Sequence, residues 1–153
     1  MVSNRNRINA AYAIIRGGSA YPEINGKVIF KQLPKGVLVT ARINGLPDIK
    51  DGMGIFAMHI HSGGSCTGND IDEFADSKTH YNPQNTRHPY HAGDLPPLFG
   101  NHGFAYMEIF TDRFTLNEII GKTVIIHNGV DDFTSQPAGN SGIKIACGKI
   151  VRA

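Results

Sequence analysis

Short apolar runs, separated by turn-forming residues, recur along most of the chain. The segment Gly36–Asn44 alternates most clearly, since Val37, Val39, Ala41 and Ile43 would share one face of an extended strand. Eighteen glycines and eight prolines interrupt such runs, and turns at intervals of roughly 8–12 residues are typical of all-β sandwiches and barrels. Further strands are predicted at 9–16, 27–32, 54–61, 104–110, 122–127 and 142–151, with a single helical turn at 116–120.

The predicted strand at 54–61 carries candidate chemistry as well as core residues. Its alternation places Phe56, Met58 and Ile60 on the core face, and His59 and His61 together on the outward face. Side chains two residues apart on one face of a strand are about 6.5–7 Å apart, which lets one metal ion bind both imidazoles.

Four more candidate ligands lie in the stretch 62–98, where regular patterning stops. Loops of such length in a compact domain are usually functional or disordered. An all-imidazole set favours Cu(II), whereas histidines with one aspartate suit tetrahedral zinc. His127 ends the strand predicted at 122–127 and would also point outward. Six histidines and one aspartate are too many for one ion, unless some of them are spectators. The four candidate ligands in the stretch 62–98 are His80, His88, His91 and Asp94.

The composition limits the partners. We expect one domain, 1–153. Fifteen basic against thirteen acidic residues give no case for a nucleic-acid partner, and no apolar run approaches the roughly 20 residues that span a bilayer, so no membrane partner is expected.

The apolar stretch at 10–15 is too short for a signal peptide, which predicts a cytoplasmic protein; export is the alternative if the chain is a processed form. Cys66 and Cys147 are either two free, buried thiols or the two halves of one disulfide.

Five motifs occur in order along nearly the whole chain, and they closely resemble those of the copper-zinc superoxide dismutases. The loops are short, as in bacterial members. The resemblance implies an eight-stranded Greek-key β-barrel or sandwich, immunoglobulin-like, with a long metal-binding loop. The motifs are GIFAMHIH at 54–61, HYNP at 80–83, HAGDLP at 91–96, GKTVIIH at 121–127 and GNSGIKIACG at 139–148.

The resemblance also implies a copper ion and a zinc ion that share His80 as a bridging ligand. Asp131 stands where the family has a carboxylate that joins two of the ligand histidines, His59 and His88. Cys66 and Cys147 stand where the family forms its disulfide. The implied ligands are His59, His61, His80 and His127 for copper, and His80, His88, His91 and Asp94 for zinc.

By the same resemblance, the activity is dismutation of the superoxide anion to oxygen and hydrogen peroxide. Copper would be alternately reduced and reoxidised, and the His80 ring would donate a proton. Lys144 stands where most of the family has an arginine, and we expect it to attract superoxide but to orient it less well, because lysine lacks the planar guanidinium fork. The alternative is a non-catalytic copper- and zinc-binding relative with a metal-handling role. Monomer and homodimer both remain open.

Overall fold

The computed structural model describes residues 9 to 153, which form β-strands and loops with very little helix. Alternating runs give strands because every second side chain can enter a core while its neighbours face away. A 3-10 turn covers Ala75–Ser77, and one helical turn, α1, covers Leu116–Ile119. The strands are β1 (Ala10–Gly17), β2 (Asn25–Leu33), β3 (Gly36–Asn44), β4 (Met53–Phe56), β5 (Met58–His61), β6 (Leu98–Asn101), β7 (Ala105–Thr111), β8 (Thr123–His127) and β9 (Lys144–Arg152).

Seven of the strands form one antiparallel sheet in the order β5-β8-β9-β1-β2-β3-β7, and β4 pairs with β6 in a second, two-stranded sheet. The order β9-β1-β2-β3 is a Greek-key arrangement, in which a strand that returns by a long connection lies beside the first of three consecutive strands. The large sheet curls as in a β-barrel. The predicted all-β fold is therefore confirmed.

The predicted strand at 54–61 is divided at Ala57. The Ala57 N–H donates to the Gly129 carbonyl at 2.9 Å, and the Ala57 carbonyl accepts from the His127 N–H at 2.9 Å. The run therefore supplies β4 to the small sheet and β5 to the large one, and counted as a single strand it gives the eight predicted. The pattern misses β6, because its four residues are too few to show alternation. The bounds of β3 agree with the prediction, and those of the remaining strands shift by one or two residues.

The large sheet surrounds the main apolar core. Phe56, Met58 and Ile60 are fully buried in it, as predicted, and each such side chain contributes about 1.5–3 kcal/mol by leaving water. A small second cluster of Phe74, Ile125 and Cys147 covers the other face of β8. Every residue of β5 and β8 is consequently buried.

The stretch between β5 and β6 is fastened to the sheet near its beginning. Cys66 forms a disulfide with Cys147 of β9, which confirms the bridge that the family resemblance implies. The buried Thr123 hydroxyl donates to the Gly63 carbonyl at 3.1 Å. These two links hold the first turn of the stretch against β8 and β9.

Residues 1 to 8 belong to the N-terminal stretch in which no signal peptide is predicted, and they lie outside the described residues. Between residues 9 and 153, no helix has the length and apolar character that crossing a bilayer requires.

Candidate metal centre

Paired strands position three of the candidate ligands. β5 runs antiparallel to β8, with His59 opposite Ile125 and His61 opposite Thr123. His127 ends β8 at an irregularity in its pairing with β9. The sequence predicts that these rings point outward, and they do face away from the main core. They are nevertheless buried, because loops cover this face of the sheet.

The long loop lies beside β5 and extends its ladder. The Ile60 N–H donates to the Gly93 carbonyl at 2.8 Å, and the Ile60 carbonyl accepts from the Tyr81 N–H at 2.8 Å. Isolated bridges consequently pair His61 with His80, and His59 with Asp94. Backbone hydrogen bonds thus bring loop residues next to the strand histidines.

Two groups of four side chains result, and His80 belongs to both. Within each group, one potential ligand atom of every residue lies within 4.8 Å of the others, and all the residues are buried. The seventh histidine, His102, is exposed in the turn after β6 and belongs to neither group. The copper-side group is His59, His61, His80 and His127, and the zinc-side group is His80, His88, His91 and Asp94.

The hydrogen bonds of His61 and His127 leave a position that suits a cation. The Nδ1–H of His61 donates to the Lys78 carbonyl at 2.8 Å, and that of His127 donates to the Gly142 carbonyl at 3.1 Å. In the neutral rings both Nε2 atoms then carry lone pairs, and they lie only 3.3 Å apart. A bound metal ion would turn this repulsion into coordination.

Asp131 fixes two further rings. The Nε2–H groups of His59 and His88 donate to its two carboxylate oxygens at 2.8 and 2.7 Å. The Nδ1 atoms of both histidines are therefore free to bind metal, and neither has a hydrogen-bond partner. His88 Nδ1 lies 3.1 Å from an oxygen of Asp94, which is the separation expected of two ligands of one ion rather than of a hydrogen bond.

The two nitrogens of His80 face different groups. His80 Nδ1 lies 2.9 Å from an oxygen of Asp94 and 3.3 Å from Nδ1 of His91, on the zinc side. His80 Nε2 is buried and has no hydrogen-bond partner among residues 9 to 153. Three unpartnered ring nitrogens at one place would be costly in a folded protein. The donor set therefore fits a pair of metal ions on either side of the His80 ring.

Burial keeps several of these rings in the neutral form that metals bind. It lowers the pKa of His127 to about 3, and the neighbouring His59 adds to this effect. The pKa of His61 is likewise well below its ordinary value because of burial and the nearby His127. Burial acts to raise the pKa of Asp131, but the hydrogen bonds from His59 and His88 outweigh it and hold that pKa far below its usual range. The Asp131 carboxylate thus stays charged.

The comparisons with known proteins agree with this geometry. A family model described as copper/zinc superoxide dismutase matches residues 24–150. The chain belongs to this family. It is 33% identical over 143 residues to Cu-Zn superoxide dismutase 2 of Aquifex aeolicus, covering 84% of this chain and 80% of that protein. It is 34% identical over 137 residues to the Cu-Zn superoxide dismutase of Legionella pneumophila, covering 84% of this chain and 79% of that one. Copper and zinc are therefore its cofactors.

Three residues outside the two ligand groups support the zinc-side loop. The Gln136 side chain accepts from the His88 N–H at 2.9 Å and donates to the His88 carbonyl at 2.7 Å. The Arg113 guanidinium donates to the Pro89 carbonyl at 3.1 Å. At Gly139 (φ +70°) a Cβ atom would lie 2.1 Å from an Asp131 oxygen, so only glycine fits. Family motifs contain this glycine, but no local pattern marks Arg113 or Gln136.

Lys144 lines a cavity of about 410 Å³ together with His61, His80 and His127. Its ammonium donates to a carboxylate oxygen of Asp72 at 2.8 Å and to the Phe74 carbonyl at 3.1 Å. Burial acts to raise the pKa of Asp72, but the hydrogen bond from Lys144, with further contributions, lowers it below the usual value. The charge of Lys144 is thus compensated by a carboxylate.

Lys78 lines the same cavity, and the sequence gives no reason to select it. It is exposed, and among the described residues it forms no ion pair. Its backbone carbonyl accepts the hydrogen bond from His61, which fixes the start of its side chain next to the copper-side group. Lys78 thus carries the uncompensated positive charge beside these histidines.

Proposed function

We propose that this protein dismutates superoxide to oxygen and hydrogen peroxide. One observation carries the proposal above all, namely that His80 belongs to both ligand groups and presents one ring nitrogen to each. When bound, copper supplies the one-electron redox chemistry that dismutation needs, and zinc, which has none, orders the loop. The family membership supports the same reaction.

The residue roles follow from the contacts of each ring. His59, His61, His80 and His127 would hold copper, and His80, His88, His91 and Asp94 would hold zinc. Asp131 keeps the Nε2–H tautomer of His59 and of His88, and so presents Nδ1 to the metals. His80 Nε2 is the atom that would hold a proton and pass it on while it is not a copper ligand, because no group among residues 9 to 153 forms a hydrogen bond with it.

The cavity beside the copper-side group supports access by a small anion. Its volume of about 410 Å³ exceeds what a diatomic anion needs, and two lysines line it. Lys144 contributes less positive charge than its place in the sequence predicts, because Asp72 pairs with it at 2.8 Å. Lys78 is the stronger candidate for attracting superoxide, because positive charge around a cleft raises the encounter rate with anions.

The test is metal analysis together with superoxide decay. The protein is purified with copper and zinc supplied, its metal content is measured, and the decay of pulsed superoxide is followed. We expect about one copper and one zinc per chain, and decay far above the rate in buffer. A fully loaded protein that leaves the decay unchanged would instead establish the non-catalytic, metal-handling alternative. The compensated charge of Lys144 is the one observation that favours that alternative.

For the compartment, the disulfide supports the exported alternative, because disulfides persist in oxidising environments. Cell fractionation tests this assignment. A cytosolic pool of the protein with the disulfide intact would support the cytoplasmic prediction instead. Monomer and homodimer stay open, and the mass of the metal-loaded protein in solution distinguishes them.

A further inference from the structure

The outer face of the large sheet carries a concentration of positive charge. Strand alternation places five cations on the side opposite the core, and all five are exposed. We call this surface the basic face. Its cations are Arg16 of β1, Lys27 and Lys31 of β2, Arg42 of β3 and Lys149 of β9.

Acidic residues are nearly missing from the same strands. Glu108 of β7 is the one carboxylate on β1, β2, β3, β7 and β9, and it accepts hydrogen bonds from the Thr40 hydroxyl at 2.9 Å and the Tyr106 hydroxyl at 3.1 Å. None of the five cations forms an ion pair within residues 9 to 153. The basic face therefore has a net charge that the rest of the described protein leaves uncompensated.

Exposed apolar side chains lie among these cations rather than apart from them. Cross-strand pairing places Ile14 beside Lys27, Lys27 beside Arg42, and Arg42 beside Tyr106 in one row across the sheet. Ile14 is 43% exposed and Tyr106 is 52% exposed. Other exposed apolar residues on the same face are Ile29, Phe110 and Val151.

Two of the three aromatic rings of this face are already covered by cations, and the third, Phe110, is open. The Lys27 ammonium lies 4.6 Å from the centre of the Tyr12 ring, and the Arg42 guanidinium lies 5.5 Å from that of Tyr106. Proteins that bind single-stranded nucleic acids use open aromatic faces on which bases stack. A single open ring, two covered rings and exposed isoleucines fit such a partner poorly.

We propose that the basic face docks on the surface of a membrane that contains anionic phospholipid. Charge complementarity supplies the attraction. The exposed aliphatic and aromatic side chains enter the headgroup region of the membrane, whereas a partner that offered only phosphates would leave these side chains in water. The central strands β2 and β3 are separated from β5 and β8 by β9 and β1 in the sheet order. Docking centred on Lys27, Lys31 and Arg42 therefore places the membrane against strands that do not line the cavity of the metal centre. This inference does not depend on the proposed dismutation.

Vesicle co-sedimentation of the full-length protein tests the inference. We expect binding to vesicles of phosphatidylglycerol and phosphatidylcholine, loss of binding to phosphatidylcholine alone, and weakening by salt. Lys27→Gln/Lys31→Gln should weaken binding roughly 25-fold, taking roughly fivefold per basic residue near an anionic surface. The matched control is Lys50→Gln/Arg87→Gln, on loops outside the basic face, which lowers the formal net charge of +2 by the same two units. The control should stay close to the unchanged protein.

A second pair of changes separates a membrane from a soluble polyanion. Ile14→Thr/Ile29→Thr keeps every charge and should weaken vesicle binding several-fold, while retention on immobilised dextran sulfate stays the same. The inference is overturned if the protein does not bind anionic vesicles at low salt, or if the Lys27/Lys31 and Lys50/Arg87 double variants weaken binding equally. It is also overturned if the isoleucine variant binds vesicles normally, because charge alone would then account for binding and a polyanion would be the better partner.

Discussion

The two sides of the metal centre are positioned by different means. On the copper side, His59, His61 and His127 lie on β5 and β8, where a backbone ladder fixes their positions. On the zinc side, every ligand belongs to the stretch between β5 and β6, outside any regular strand. His80 is the one residue common to both.

Different interactions therefore hold the two sides in place. The copper-side histidines are held in position by the same hydrogen bonds and buried residues that stabilise the sheet. The zinc side depends on individual side chains of other segments, such as Arg113 and Gln136, and on the disulfide. Changes to these supporting side chains should weaken zinc binding first, whereas a change to the His80 ring should weaken the binding of both metals.

The largest effect is expected from His80→Ala, which removes a ligand from both groups. Superoxide decay should fall to the rate in buffer, and the content of both metals should fall with it. His102→Ala is the matched control, because His102 is exposed and belongs to neither group. Loss of only one metal would show that the two sides are less coupled than the shared ring indicates.

Removal of the disulfide should have the next largest effect. The bridge joins residues 81 positions apart, and Cys66→Ser/Cys147→Ser should lower the free energy of unfolding by roughly 4–5 kcal/mol in the chain-entropy model. Urea unfolding measures the loss, and the reduced native protein, which has the same open loop, is the control. We also expect zinc affinity to fall more than copper affinity. Equal losses of zinc affinity and copper affinity would contradict the difference between the two sides of the metal centre.

Asp131→Asn should lower metal affinity by about 10- to 100-fold, which is typical when a residue that orients a ligand is lost. An asparagine can accept one of the two histidine N–H groups, but its own NH₂ group would face the other. Competition with a chelator measures the affinities. Asp132→Asn is the neighbouring control, because the Asp132 carboxylate accepts from the Thr134 and Ser135 N–H groups of its own loop at 2.9 and 2.8 Å. If both variants bind metal alike, the orienting role of Asp131 is wrong.

The smallest effects concern the two cavity lysines. Lys78→Gln should slow superoxide decay by about threefold at low salt and flatten its salt dependence, a small part of the roughly 10- to 1,000-fold range over which charge steers encounters. Lys144→Gln should do less while Asp72 is present, and Asp72→Asn should speed decay by freeing the Lys144 charge. Decay kinetics across a salt series compare the three variants. A larger effect of Lys144→Gln than of Lys78→Gln would restore Lys144 as the main attracting charge.

Alternation and motifs suffice to predict much of the molecule. The bounds of β3, the position of α1 and the core face of β5 all follow from the spacing of apolar residues. The residues that the family motifs imply as ligands lie together in two groups of side chains. The division of the strand at Ala57 could not be predicted, because it depends on hydrogen bonds to Gly129 and His127, which lie about 70 residues away in the sequence.

What the sequence by itself determined was the class of fold and the chemistry of the metal ligands, since these depend on residue type and local spacing. Tertiary structure alone decided which charges are free. Asp72 compensates Lys144, while Lys78 remains uncompensated in the same cavity. A nearly balanced composition likewise gave no sign of the basic face, where pairing of distant strands brings five cations together. Net charge is a sum over the chain, whereas attraction between surfaces depends on where folding places each charge.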